Sequence, residues 1–95
     1  MTAVKHFEKT PDEVLDFTRR WNKWLNGDAI DTSTWETDEG NVTIDSNSID
    51  GTKTIVWLSG GGVGQCDRIT NKIITTAGRT AERTFEIKIV EFRAE

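Results

Sequence analysis

VWLSGGGVGQCDRITN, residues 56–71, sets three consecutive glycines and then Gly64 between an apolar run and a polar one. Two readings compete for it: a phosphate cradle, or a bend between strands. A P-loop needs the order Gly-x4-Gly-Lys-Ser/Thr, because the lysine and the hydroxyl meet phosphate and metal. Here Gln65 and Cys66 follow Gly64. The dinucleotide fingerprint Gly-x-Gly-x-x-Gly fails as well: counting from Gly60 and Gly62, Gln65 stands in the third glycine's place. Both motifs also need a helix N-terminus for the anion, and the residues that follow pattern as a strand. The stretch therefore reads as a bend. Glycine tolerates positive φ at little steric cost, and the Gln65 amide is placed to cap the turn.

Upstream of the bend, Thr54 to Leu58 is the densest β-branched run. Ile55 and Trp57 fall on one face and Val56 and Leu58 on the other, which predicts a central strand covered on both sides. Asp50-Gly51 before it is a hairpin signal. Downstream, Ile69 and Ile73 share a face with Asn71, and Thr84 to Ile89 alternates strictly, with Phe85, Ile87 and Ile89 pointing one way. Toward the N-terminus, Leu15 and Phe17 alternate with Asp16 and Thr18, and Ile30 and Trp35 mark another strand. Val42 and Ile44 mark one more. Trp21, Trp24 and Leu25 stand at i, i+3, i+4, one face of a single helical turn that Asn26-Gly27 closes. About seven short strands at near-regular spacing predict an all-β sandwich or small barrel.

The chain has 95 residues, which suits one domain with one modest core. Residues 1–10 read as an arm or edge strand and residues 11–95 as the sandwich domain. Net charge is −4, and acids and bases are mixed with no basic block. That argues against a nucleic-acid partner. No apolar run reaches membrane-spanning length and no signal-peptide core is present, so the expectation is a soluble protein made in the cytoplasm. Cys66 and His6 are each the sole residue of their type. They allow no internal disulfide and no multi-cysteine zinc site, and no Asn or Asp pattern supports a His–Cys catalytic pair. The acids Asp28, Asp31, Glu36, Asp38, Glu39, Asp45 and Asp50 match neither an EF-hand order nor a carboxylate pair in a cleft. They read as solvated loops, with weak calcium binding as the alternative. No catalytic residue, metal ligand or cofactor site emerges, and the expectation is a protein that is not an enzyme.

Several positions carry two readings. Trp21, Trp24 and Leu25 form a plug at one end of the core, or an aromatic platform for a sugar. Asn71 is a buried structural amide satisfied by loop backbone, or a binding residue. Arg79 and Arg83 flank a hairpin tip, either solvated or facing a partner's carboxylates. The expected core comprises Leu15, Phe17, Trp21, Trp24, Trp57, Ile69, Asn71, Ile73, Phe85, Ile87 and Ile89.

The stretches KTPDEVLDFTRRWNKWLNGDAIDTSTW, VWLSGGGVGQ and ITNKIITTAGRTAERTFEIKI, spread over residues 8–90, resemble a family of small tailed-phage virion proteins. These are immunoglobulin-like sandwiches described as fibre–tail adaptors or related tail-module components. The resemblance rests on Pro11, Asp12, Glu13, Leu15 and Asp16, the Trp-x2-Trp-Leu turn, the Trp-Leu-Ser-Gly-Gly bend, Thr70-Asn71, and Gly78-Arg79-Thr80 with Arg83. Members often carry a tyrosine where this chain has Asp67, so the corner that a tyrosine hydroxyl would pin must be held otherwise. The resemblance implies an assembly protein of the virion, a ring subunit or bridge between tail or connector and fibre. Its partners would be other virion proteins and further copies of itself. Arg79, Arg83, His6 and Phe7 are the expected interface residues, with the first ten residues as an arm that orders on a neighbour. A capsid decoration protein and a carbohydrate-binding module are the alternatives.

Overall fold

A computed structural model describes residues 5–93. The strictly alternating C-terminal run forms β7 (Thr80–Ile89), which pairs antiparallel with β6 (Cys66–Thr75) from Ile74↔Thr80 to Cys66↔Lys88. β6 also pairs with β3 (Ile30–Thr37), and β1 (Lys5–Lys9) adds parallel to the outer side of β7. The second sheet has β5 (Lys53–Ser59) at its centre, flanked by β2 (Leu15–Arg20) and β4 (Thr43–Asp50). The sheet orders are β1-β7-β6-β3 and β2-β5-β4. One turn of helix, α1 (Asn22–Leu25), joins β2 to β3. Asn26 (φ 49°) and Gly27 (φ 94°) end it in left-handed conformations. The fold is an all-β sandwich with one short helix.

Alternation decides what fills the middle. Val56 and Leu58 from β5 meet Ile69 from β6, Phe85, Ile87 and Ile89 from β7, Trp35 from β3 and Val42 before β4. Each fully buried aliphatic or aromatic side chain contributes about 1.5–3 kcal/mol relative to exposure. A smaller cluster of Trp21, Leu25 and Ile73 closes one end, with Trp24, Ile30 and Ala81 packed against it. Leu15 and Phe17 on the edge strand β2, and Trp24, are half-buried.

Trp57 corrects the expected core. β5 is central within its sheet but covered on one face only: Thr54, Val56 and Leu58 are buried while Trp57 is 41% exposed. A two-layer sandwich has no third layer to cover the outer face of a central strand. Asn71 is buried as expected, but its partners differ from the loop backbone foreseen. Its Oδ1 accepts from Thr54 Oγ1 (2.6 Å) and Trp21 Nε1 (3.0 Å), and its Nδ2 donates to Ser33 Oγ and the Thr34 carbonyl. The amide thus ties β6 to β3, to β5 in the opposite sheet, and to the helical turn.

The glycine stretch crosses from β5 in one sheet to β6 in the other. Gly62 N–H donates to Gln65 Oε1 at 2.6 Å, so the glutamine amide caps the turn. Gly61 has φ 99°, and a Cβ there would stand 2.7 Å from Ile89 Cδ1. A lysine does reach this loop, but from β1 and for another purpose. The buried Lys9 ammonium donates to the carbonyls of Gly60 (2.6 Å), Thr10 (2.8 Å) and Pro11 (3.4 Å). Burial pulls its pKa below the ordinary lysine value, against the raising effect of Glu13, Asp12 and Asp45. It braces the bend and closes one side of the sandwich.

Asp67 supplies the corner that a tyrosine would otherwise pin. Its buried carboxylate accepts from the amides of Asp38 (3.1 Å), Glu39 (2.8 Å) and Arg68 (2.9 Å) through Oδ1. Through Oδ2 it accepts from Asn41 (2.9 Å) and Val42 (3.4 Å). The amides of Glu39, Asn41 and Val42 in the β3–β4 connection are thus gathered on one side chain, and the Asp38 amide is shared between it and the Arg68 carbonyl at 2.9 Å.

Candidate functional site

The sandwich has two lateral edges. At one, β3 lies over β4; at the other, β1 lies over β2, joined by the Phe7–Phe17 contact at 5.2 Å between ring centroids. Each of these four strands has a hydrogen-bonded neighbour on one side only.

Between β1 and β2 opens a cleft of about 340 Å³. Its floor is aromatic. Phe7, Phe17 and Phe85 stand 5.2–5.3 Å apart in a three-ring cluster, and Trp35 meets Phe85 at 6.3 Å. Such spacings suit tilted and edge-to-face contacts. Phe7 remains 38% exposed. The buried Trp35 Nε1 has no acceptor among the described residues.

The rim is cationic, carrying Lys5, Arg19, Arg20 and Arg83. None of the four forms an ion pair among the described residues. Arg83 lies 5.1 Å over the Trp21 ring and donates to the Glu82 carbonyl, so its charge meets no carboxylate. Burial, and then the neighbouring charge of Arg83, pull the Arg19 guanidinium below its ordinary pKa. Both effects oppose its positive charge, and the attraction of a bound anion would offset them.

The four side chains expected at an interface take different positions. Arg83 and Phe7 line the cleft. His6 faces away from it, with Nδ1 3.4 Å from Glu86 Oε2, and Glu86 also meets Arg68 at 3.5 Å. Arg79 differs most from a free hairpin-tip arginine. Its guanidinium donates twice to Asp28 Oδ2 (3.0 and 3.1 Å) and once to the Leu25 carbonyl, and it stacks 4.2 Å over the Trp24 ring. Hydrogen bonds from Thr75, the Ala29 amide, Arg79 and Thr76 hold the Asp28 carboxyl well below the usual carboxylate range. Arg79 therefore clamps the β6–β7 turn to the end of α1.

Lys5, Arg19 and Arg20 were not among the expected interface residues. They lie far from Arg83 in sequence, and only the pairing of β1 with β7 brings Lys5 opposite Phe85. The available signal was parity: Arg19 follows Leu15 and Phe17 on the inward face of β2. The tryptophans do not form an exposed platform, since Trp21 and Trp35 are buried and Trp24 is covered by Arg79. Among the described residues, no group of three or more His, Cys, Asp or Glu converges to hold a metal. The Cys66 thiol is free and exposed.

Fold and surface define a small β-sandwich with buried polar networks in its scaffold and a cationic, aromatic cleft between β1 and β2. The chain belongs to the family of the podophage GP4 fiber-tail adaptor protein gp77, whose model matches residues 9–88. That span covers β2 to β7 apart from Ile89, and of β1 only Lys9. A search of curated proteins finds no match.

Proposed function

We propose that this protein is a structural adaptor of a tailed-phage virion, joining tail or connector to fibre through protein–protein contacts and without catalysis. Membership of the fibre–tail adaptor family over residues 9–88 carries this reading. The architecture supports it. Rigid sheets hold four edge strands at fixed positions, and edges are ready-made docking elements. Several copies act together in the particle, so that individually weak contacts combine. The strand orders support an immunoglobulin-like assignment. With strands lettered A to G, β2-β5-β4 is B-E-D and β7-β6-β3 is G-F-C, the partition of immunoglobulin domains, with the first strand moved beside the last.

The protein assembles in the host cytoplasm and works in the virion. Cryo-microscopy of the parent particle tests this. Density for the chain between tail and fibre is expected, and particles made without the chain should lack fibres. Density on the capsid lattice would replace the adaptor with a decoration protein.

A further inference from the structure

Charge is segregated across the sandwich. Between Lys23 and Lys53 the sequence holds no Lys or Arg but seven carboxylates. Asp28 is committed to Arg79. The other six, Asp31, Glu36, Asp38, Glu39, Asp45 and Asp50, are exposed on β3, β4 and their connection. Of these, Asp50 alone has a described cation within 4.0 Å, Lys53 at 3.9 Å. The opposite edge gathers Lys5, Arg19, Arg20 and Arg83 over the aromatic floor of the cleft, while its acids, Glu8, Asp12, Glu13 and Asp16, lie outside the cleft lining. One molecule thus carries both halves of a complementary pair, on opposite sides.

The acidic edge also has the form of a docking element. From Asp45 to Asp50, β4 is exposed on both faces, and it pairs only with β5. Six residues of strand span about 20 Å, a length comparable to that of six-residue β2 across the cleft.

We infer that copies of this chain associate head to tail, the acidic β3–β4 edge of one molecule seating on the cationic cleft between β1 and β2 of the next. The inference rests on the adaptor reading for the setting in which copies meet. Two cationic clefts, or two acidic edges, facing each other would oppose like charges. A heterologous contact is therefore favoured over a two-fold one. Carboxylates from β3 or β4 pair with Lys5, Arg19 and Arg83, and Phe7 loses its exposure to water.

Sedimentation velocity on the full chain tests the contact, over a wide concentration range at low and high salt. Mass should grow with concentration and shrink with salt, because exposed ion pairs are screened. Arg19→Glu with Arg83→Glu should weaken association about tenfold or more, as should Asp45→Lys with Asp50→Lys, given the coupling of close interfacial charges. Each double variant retains one intact edge. An equimolar mixture should therefore associate where neither variant does alone, because its intact edges and its reversed edges both meet opposite charge. If the Arg19 and Arg83 variant fails to fold by circular dichroism, Lys5→Glu with Arg20→Glu replaces it on the same rim. A wild type that stays monomeric throughout, or oligomers indifferent to both reversals, would overturn the inference. Particle location is read separately. A chain lying between tail and fibre whose copies do not associate leaves the adaptor standing and removes this contact. Copies that join by these edges on the capsid lattice do the reverse.

Discussion

Replacing Asp67 with Asn exchanges one oxygen for an amide nitrogen and preserves volume, so the change is electrostatic rather than steric. The retained oxygen can serve the amides of Asp38, Glu39 and Arg68. Those bonds fall from charge-assisted to neutral strength, roughly half. With about 1.5–3 kcal/mol for a bond to a charged group and about 0.5–1.5 for a neutral one, the Glu39 and Arg68 bonds lose roughly 2–3 kcal/mol together, while the Asp38 amide keeps the Arg68 carbonyl at 2.9 Å. The new NH2 then confronts the Asn41 and Val42 amides, donor against donor. An unsatisfied buried group costs about 1–3 kcal/mol more. Relaxation of the connection recovers part of this, leaving an expected loss of about 3–4 kcal/mol from a total that is typically about 5–15. Urea unfolding followed by tryptophan fluorescence reads the loss as a lower midpoint at constant m. Amide exchange should quicken first at residues 38–42. A loss below about 1 kcal/mol would refute the reasoning, because the amides of Glu39, Asn41 and Val42 would then have other acceptors.

Gly61→Ala sets a Cβ against Ile89 at a positive φ and should cost about 3 kcal/mol, whereas Gly64→Ala (φ 88°, open space) carries only about 1–2 kcal/mol of backbone strain; equal costs in urea unfolding would mean that Ile89 yields freely. Phe85→Ala removes the ring shared by Phe7, Phe17 and Trp35 and should cost about 3–5 kcal/mol, while Trp57→Ala on the outer face should stay within about 1 kcal/mol; the reverse order would invert the assignment of faces. Because the Asp28 carboxyl is held below its ordinary value of 3.8, its contribution is full above that value and is lost as pH falls toward the depressed one. Asp28→Asn should therefore be less stable than wild type at neutral pH and show a flatter acid limb in urea midpoints; parallel limbs would sink the clamp.

Much of the scaffold was legible because it rests on period and turn chemistry. Phe85, Ile87 and Ile89 alternate and are buried; Gly60 to Gly64 crosses between the sheets; Trp21 and Leu25 plug one end. Period tells which residues share a face, not which face another layer covers, so Trp57 was placed inside. Parity set Lys9 on the same face as Lys5 and Phe7, yet residue type argues against burying an ammonium, and only the three carbonyls around it make the burial understandable. Arg79 looked free because its partner, Asp28, lies about fifty positions upstream. The cleft was least legible of all. Lys5, Arg19, Arg20 and Arg83 are scattered among acids, and their mixed appearance along the chain hides a segregation that only the sheet order produces.

That segregation has a cost in the isolated molecule. Four cations gather over an aromatic floor, and the charge of Arg19 is opposed both by burial and by Arg83. A carboxylate in place of Thr18 or Thr84, beside these strands, would have offered local relief; the acids of β1 and β2, Glu8 and Asp16, do not line the cleft. Elsewhere the sequence matches charges readily, as in Arg79 with Asp28, Arg93 with Glu13 and Arg68 with Glu86. What sets the cleft apart is that four cations without ion-pair partners among the described residues share one concave site, where like charges oppose one another. A carboxylate-bearing partner that binds only the native state would offset that repulsion and stabilise the fold by mass action. For an adaptor this arrangement separates two demands: the Asn71 and Asp67 networks hold the sandwich rigid, and the cleft keeps its attraction for the moment of docking.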